Sequence, residues 1–211
     1  MKYIELHARS AFSFLEGASV PEELIAACKG LEMPAMALLD RDGVYGSPRF
    51  HLAAQKIGIK AHIGAEITVQ SPGLVQSPKS KVQSLLNPHR LSVQDLELDK
   101  PADFGLWTLD FGLKHAAHHK ETFSLPLLVR SRTGYQNLCR LVTLMKLRVP
   151  KHAKPGECAV SPDELAEYAK GLVCLTGGHD GPLAKALDHR DTENTEEAQR
   201  RAEWLVDVFG K

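Results

Sequence analysis

The sequence has no long apolar run, no excess of charge of either sign and no dense basic segment. No run approaches the roughly 20 apolar residues that a membrane-spanning helix requires. Lysine and arginine together number 26, as do aspartate and glutamate, so no overall field steers the chain toward nucleic acid or membranes. Any contact with DNA would need a local basic patch. The 211 residues are enough for one large domain or two small ones.

Cysteine is also scarce. The four cysteines lie far apart and form no Cys-x-x-Cys pair; they are Cys28, Cys139, Cys158 and Cys174. The charged N-terminus shows no signal-peptide pattern. We therefore predict reduced and mostly buried thiols in a cytoplasmic protein.

The first 70 residues show a regular alternation of strand and helix patterns. An apolar strand begins at Tyr3 and delivers His7 and Arg9 to its end. The elements predicted after it are a helix over 21–29, a strand over 35–39, a helix over 47–57 and a strand over 60–69. This alternation predicts βαβ units and a parallel sheet or barrel.

Residues 70–123 interrupt this alternation with several proline-containing breakers, and we interpret them as an insertion or extended loop. Regular patterns then return as a strand over 125–130, a helix over 134–146, a basic linker over 150–157, a helix from Ser161, a strand over 171–176 and two final helices. Because the chain stops where an element has just finished, we expect it to be incomplete at its C-terminus.

Polar side chains follow successive predicted strands. The carboxyl ends of parallel strands meet at one edge of a sheet, where functional groups gather. The residues at these ends are His7, Arg9, Asp40, Arg41 and Glu66. Considered singly, each of these residues is typical of a polar strand-end loop. Considered together, the five residues favour a shared polar pocket.

Three other groups could carry chemistry, and each has a simpler interpretation that we favour. A His115, His118 and His119 cluster has a helical spacing that could hold a metal, but no fourth ligand is evident, and a solvated face is favoured. The glycine-rich segment 177–181 could cradle a phosphate, but a strand-to-helix turn is favoured. We interpret three aromatic residues as pocket-rim or core residues rather than as base-stacking platforms: Phe12, Phe14 and Tyr45.

Five segments together resemble the N-terminal PHP (polymerase and histidinol phosphatase) domain of bacterial C-family replicases, the DNA polymerase III alpha-subunit group. The first three are LHARSAFSFLEGA at 6–18, ALLDRDGVYG at 37–46 and GIKAHIGAE at 58–66. The other two are RSRTGYQNLCRL at 130–141 and LTGGHDGPL at 175–183, and they are similar to the error-prone branch of that group. The resemblance spans nearly the whole chain except about 70–123.

The resemblance implies a PHP-like domain over 1–211 that folds as a distorted (β/α)7 barrel, incomplete at its C-terminus, with a metal site at its mouth. His7, Asp40 and Glu66 match metal-ligand positions of the family. Glu16 matches a position where aspartate is more usual, and Arg9 and Arg41 stand where the family has histidines. A later family histidine falls near Ser124, where none is present.

The two arginines change the chemistry that the resemblance implies. A guanidinium offers no lone pair and stays protonated, so neither arginine can be a metal ligand. We therefore interpret Arg9, Glu16 and Arg41 as a vestigial pocket, in which the arginines substitute for the metals and pair with the remaining carboxylates. The family-matched ligand positions stay His7, Asp40 and Glu66, and no catalytic residue is assigned.

Three hypotheses for the function follow. The first is a structural PHP domain of an error-prone (translesion) DNA polymerase, a nucleotidyltransferase whose active site these residues lack. The second is an active metal-dependent phosphoesterase or 3′–5′ proofreading exonuclease, and the third a free-standing regulator.

These hypotheses imply different cofactors and partners. No cofactor is expected in this domain; Mg²⁺ would serve the downstream polymerase domain, and Mn²⁺ or Zn²⁺ an active PHP site. The implied partners are the remainder of the polymerase chain, DNA through the full polymerase, and sliding-clamp and mutasome proteins, with no membrane.

Overall fold

A computed structural model describes residues 3–72, 121–150, 158–187 and 193–210. The chain divides into two compact units, one formed by Met1–Pro72 with Glu121–Lys211 and the other by Gly73–Lys120. All described residues belong to the first unit. The insertion predicted over 70–123 lies almost entirely outside the described residues and stays a prediction.

The described part of the chain alternates strands and helices in its first half and ends in helices. The strands are β1 (Glu5–Ala8), β2 (Ala35–Arg41), β3 (Lys60–Gln70), β4 (Thr122–Val129) and β5 (Leu172–Cys174). The helices are α1 (Pro21–Gly30), α2 (Ser47–Ile57), α3 (Arg132–Leu147), α4 (Pro162–Tyr168), α5 (Pro182–Leu187) and α6 (Glu193–Phe209). From α1 to β3, each predicted element is confirmed to within two residues at both ends.

The five strands form one mixed sheet in the order β1-β2-β3-β4-β5. β1, β2 and β3 are parallel, as the βαβ alternation predicts. β4 runs antiparallel to β3, and β5 antiparallel to β4, so β5 has the direction of β1–β3 and the prediction of a parallel sheet is wrong for β4. The reason lies where β4 begins: Thr122 pairs with Gln70, so the chain re-enters the sheet at the end where it left. The distorted barrel is not confirmed, since the described strands form a sheet with β1 and β5 at its edges.

The core explains why β2 reads as a continuous apolar run. Its first six residues are all buried, because the strand is covered on both faces. One core cluster joins β2 to α1 and α2 through Ile25, Leu38 and Phe50. A larger cluster packs β3 and β4 against α3 and includes Ile67 and Leu138.

Local sequence signals account for the helix ends. Gly58 ends α2 with a left-handed φ of 80°, a conformation that glycine adopts without steric cost. The Ser161 hydroxyl accepts a hydrogen bond from the Glu164 backbone at the start of α4, and the Glu164 carboxylate accepts one from the Ser161 backbone in return. At the start of α3, the Ser131 hydroxyl accepts from the Gly134 amide.

All four cysteines lie in described parts of the chain and are free thiols. Cys28 is buried, whereas Cys139, Cys158 and Cys174 are only partly buried, so the predicted burial holds fully for one of them. Within the described ranges, no helix combines the length and apolar character needed to cross a bilayer.

Candidate functional site

The candidate site is built around Glu66, a buried carboxylate in the middle of β3 whose residue is 2% exposed. Parallel pairing sets Glu66 beside Arg41, the last residue of β2. β1 ends at Ala8, so His7 and Arg9 reach the same edge of the sheet. The topology therefore brings together the polar residues that the sequence places at successive strand ends.

Three residues from two segments contact the Glu66 carboxylate. Oε2 lies 2.8 Å from His7 Nε2 and accepts a 2.8 Å hydrogen bond from Arg9 Nε, with Arg9 Nη2 as a further donor. Oε1 accepts a hydrogen bond from the Ser124 hydroxyl on β4. Both carboxylate oxygens are thus engaged by protein groups.

The guanidinium of Arg9 bridges two carboxylates. While Nε and Nη2 contact Glu66, Nη1 lies 2.8 Å from Glu16 Oε2. Arg41 is more loosely placed, with Nη1 3.8 Å from Glu66 Oε1 and 3.9 Å from Glu16 Oε1. The formal charges of these two arginines and two glutamates cancel, so the cluster is neutral when all four are ionised.

The environment of Glu66 strongly favours its ionised form. Burial alone raises the pKa of this carboxyl, but the hydrogen bonds with His7 and Ser124 and the charge of Arg9 outweigh it and lower the pKa from its ordinary value near 4.5 to about 2.

This shift predicts a loss of stability in acid. Because the folded pKa lies below the unfolded one, the stabilisation is complete above about pH 4.5 and is lost as the pH falls toward about 2. A shift of this size corresponds to at most about 3 kcal/mol of unfolding free energy. Urea unfolding between about pH 6 and about pH 3 should therefore show a shallower pH slope in Glu66→Gln than in the wild type. Equal slopes would contradict the assignment.

Asp40 lies beside this cluster, yet its carboxylate turns to neutral donors. Oδ1 accepts hydrogen bonds from the Ser10 amide (3.0 Å), the Ser10 hydroxyl (2.8 Å) and the Ser13 hydroxyl (2.9 Å). Oδ2 accepts from the Gly46 amide at 2.9 Å. Asp40 therefore ties the loop after β1 to the loop after β2 from a position 1% exposed.

A fourth carboxylate, that of Asp42, closes the end of β2. Its backbone amide donates to the Glu66 carbonyl at 2.8 Å, and its side chain accepts from the amide (2.7 Å) and hydroxyl (2.9 Å) of Thr68. The Thr68 amide lies beyond the last β2–β3 pair, so Asp42 supplies the partner that β2 no longer does. Burial raises the pKa of Asp42 despite these two hydrogen bonds.

Sequence reasoning missed the hydroxyl groups that complete the site. Ser10 and Ser13 saturate Asp40, and Ser124 binds Glu66 where the resemblance only records a missing histidine. The available signal was chemical: a carboxylate directly after a buried strand requires donors, and Ser10 and Ser13 lie in the adjoining strand-end loop.

The other candidate residues lie elsewhere or outside the described ranges. His115, His118 and His119 fall outside them. The 177–181 segment forms the turn between β5 and α5, in which the Gly181 amide donates to the Gly178 carbonyl at 2.9 Å. Three aromatic residues are at least two-fifths exposed and so are not core residues: Phe12, Phe14 and Tyr45.

The arrangement of the side chains bears on whether this edge could hold a metal centre. In the four described ranges, no group of three or more histidine, cysteine, aspartate or glutamate side chains is arranged to hold a metal ion. Of His7, Asp40 and Glu66, which were predicted to match ligand positions of the family, only His7 and Glu66 contact each other directly.

Comparison with known proteins identifies the family. Residues 5–211 match the PHP domain family, and the chain belongs to it. An error-prone DNA polymerase of Mycobacterium bovis is 45% identical over 208 residues, covering 98% of this chain and 15% of the relative. An error-prone DNA polymerase of Mycolicibacterium paratuberculosis is 31% identical over 209 residues, covering 99% of this chain and 15% of the relative.

These curated relatives are much longer proteins, since the chain spans only about 15% of their length. Among solved structures, an amidohydrolase from Chromobacterium violaceum aligns with a TM-score of 0.38 at 18% identity, covering 97% of this chain and 49% of that one.

Proposed function

We propose that this chain is the N-terminal PHP domain of an error-prone DNA polymerase, with a structural role and without hydrolysis of phosphoesters. Support for the polymerase comes from relatives that match almost the whole chain while extending far beyond it. In such a protein, nucleotidyl transfer would use carboxylates and Mg²⁺ outside these residues. The remainder of the polymerase chain would be the main partner, and DNA would be contacted through it.

The structural role rests on one observation, the Arg9 guanidinium bridging Glu16 and Glu66. Metal ligands supply lone pairs, and a guanidinium has none. Its positive charge takes up the carboxylate charge that would otherwise attract a divalent cation. We infer that the residues at this edge do not fit the metal cluster that the family implies.

The remaining family-matched positions support this inference. His7 Nε2 carries its proton when it donates to Glu66 and then offers no lone pair there. Asp40 already accepts four hydrogen bonds from neutral donors. The site is therefore suited to tying three strand-end segments together, a role that needs no reaction.

One experiment tests both parts of the proposal on the full-length gene product. With nucleotides present, it is expected to extend a primed template. A second assay withholds nucleotides and adds Mn²⁺ or Zn²⁺. Under these conditions the protein should degrade the 3′ end of the primer no faster than a Glu66→Gln variant does. The same result is expected with bis(p-nitrophenyl) phosphate as the substrate.

The double variant Arg9→His/Arg41→His is the positive control for metal binding, because it returns imidazoles to the two family positions. It is expected to bind more Mn²⁺ per chain by mass spectrometry than the wild type. Metal-dependent primer degradation by the wild type that disappears in Glu66→Gln would overturn the structural role and support the phosphoesterase or exonuclease. Failure to extend any primer would overturn the polymerase assignment alone.

A further inference from the structure

A second site lies at the opposite end of β3 from Glu66. A groove of about 490 Å³ opens there, lined by the first residues of β3, the last residue of β4 and the start of α3. His62 in this groove and Glu66 are four residues apart on β3, or about 13 Å along the strand. The groove is therefore separate from the Glu66 cluster, and its ligand can be tested independently of the proposed function.

The walls of the groove carry positive charge. Arg130 and Arg132 line it, together with two histidines, His51 and His62. Within the described ranges, neither guanidinium makes an ion pair or a side-chain hydrogen bond, and no lining residue is acidic. Burial, and then the charge of nearby Lys60, lower the pKa of His62, so the positive charge of the groove comes from the two arginines.

Two guanidiniums that no described residue pairs with, in a concave surface, indicate an anionic ligand. The first turn of α3 contains no acidic residue, although acidic residues are favourable at that end of a helix. Instead Arg132 stands there, adding positive charge to the positive end of the helix dipole. A bound anion would relieve this repulsion, and phosphate is the anion whose geometry guanidinium groups match in a bidentate manner.

The remaining lining favours a nucleotide over a bare phosphate. The groove is also lined by three apolar residues, Ala61, Ile63 and Val129, and by Tyr135. Tyr135 is 38% exposed, so its ring is accessible for stacking. A cationic wall beside an aromatic ring is the arrangement by which proteins hold single-stranded nucleic acid, with phosphates on the cations and a base on the ring.

We propose that this groove binds single-stranded nucleic acid, with a backbone phosphate on Arg130 and Arg132 and one base against Tyr135. The chain as a whole has no net charge, so binding depends on this local surface.

The test uses a fluorescent ten-nucleotide thymidine strand, titrated into the 211-residue chain at several salt concentrations. The variant Arg130→Gln/Arg132→Gln is expected to bind about tenfold more weakly, and its slope of log K against log salt should fall by about 0.7, the contribution of one phosphate contact for single strands. The matched control Arg140→Gln/Lys146→Gln removes the same charge from exposed positions of α3 outside the groove and should bind like the wild type.

The base contact has its own test. Tyr135→Leu should weaken binding of the thymidine strand but leave binding of an abasic strand of the same length unchanged, and Tyr135→Phe should restore it. On the unaltered chain, NMR should show the His62 ring resonance shifting on titration with the strand, while that of the exposed His179 stays in place.

Three results would overturn the proposal. The first is equal loss of affinity in the groove variant and in the Arg140/Lys146 control. The second is an unmoved His62 resonance at saturating strand. The third is equal affinity for the thymidine strand, the abasic strand and inorganic phosphate, which would reduce the groove to a surface for any anion.

Discussion

Replacement of Arg9 by leucine is expected to lower the free energy of unfolding by about 3–5 kcal/mol, measured by urea denaturation near neutral pH. The guanidinium contacts Glu66 through Nε and Nη2 and Glu16 through Nη1. Without it, the buried Glu66 carboxylate keeps only His7, Ser124 and the more distant Arg41. An ionised carboxylate left with too few partners away from water is strongly destabilising.

Two further variants separate this effect from a general loss of an arginine. Arg9→Leu/Glu66→Gln removes the uncompensated charge and should recover at least about half of the lost stability. Arg49→Leu breaks a similar two-contact pair with Glu22, at 2.7 and 2.9 Å, but on the surface, and should cost less than about 1 kcal/mol. A similar cost for Arg9→Leu and Arg49→Leu would contradict the role given to Arg9.

Asp40→Ala is expected to have an effect of similar size, about 3–5 kcal/mol, for a different reason. The substitution leaves the buried amides of Ser10 and Gly46 without their acceptor, and each unsatisfied buried group costs about 1–3 kcal/mol. The loop after β1 should also open, and hydrogen exchange of the Ser10 amide should rise.

The exposed Asp207 provides the control for Asp40, since its replacement by alanine should change the unfolding free energy by no more than about 0.5 kcal/mol. A chelator distinguishes a structural Asp40 from a metal ligand. If Asp40 acts through Ser10, Ser13 and Gly46, EDTA leaves the stability of the wild type unchanged. A marked loss of wild-type stability in EDTA would contradict that role.

Hydrophobic periodicity and the positions of helix- and strand-breaking residues predicted the first half of the fold well. The run 35–39 followed by Asp40 predicted a buried strand, and β2 is indeed buried on both faces. Gly58 predicted the end of α2 and adopts the left-handed conformation that makes it a terminator. These features are local, so the sequence is enough to predict them.

The directions of the later strands and the partners of the site's side chains were less predictable. Nothing in the run 125–130 distinguishes a parallel strand from an antiparallel one, because direction depends on which end of the sheet the chain re-enters. The hydrogen bond between Ser124 and Glu66 depends on that same antiparallel register, since Ser124 on β4 lies opposite Thr68 on β3. Long-range register thus decided the part of the site that sequence patterns missed.

The groove at the start of β3 is a second feature that sequence patterns did not predict. The sequence contains no dense basic run, and for that reason a nucleic-acid surface was not predicted. Folding brings Arg130 and Arg132 beside His51 from α2 and His62 from β3. These residues are up to 81 positions apart (132 minus 51), so the groove that they line exists only in the folded chain.

Charge balance explains how the Glu66 cluster could keep its shape without ions. Two carboxylates, Glu16 and Glu66, face two guanidiniums, Arg9 and Arg41, and the four formal charges cancel. A divalent cation would balance the same two carboxylates. Guanidinium groups, however, are covalently attached and stay in place whatever the metal supply, and they cannot bind a water and lower its pKa as a metal would.

The most direct test of this account is a crystal structure of the protein soaked in Mn²⁺, with the anomalous signal of manganese recorded. The account predicts no anomalous peak beside Glu66, and the Arg9 guanidinium still bridging Glu16 and Glu66. A manganese peak within ligand distance of His7 and Glu66, with the Arg9 side chain displaced from both carboxylates, would contradict it.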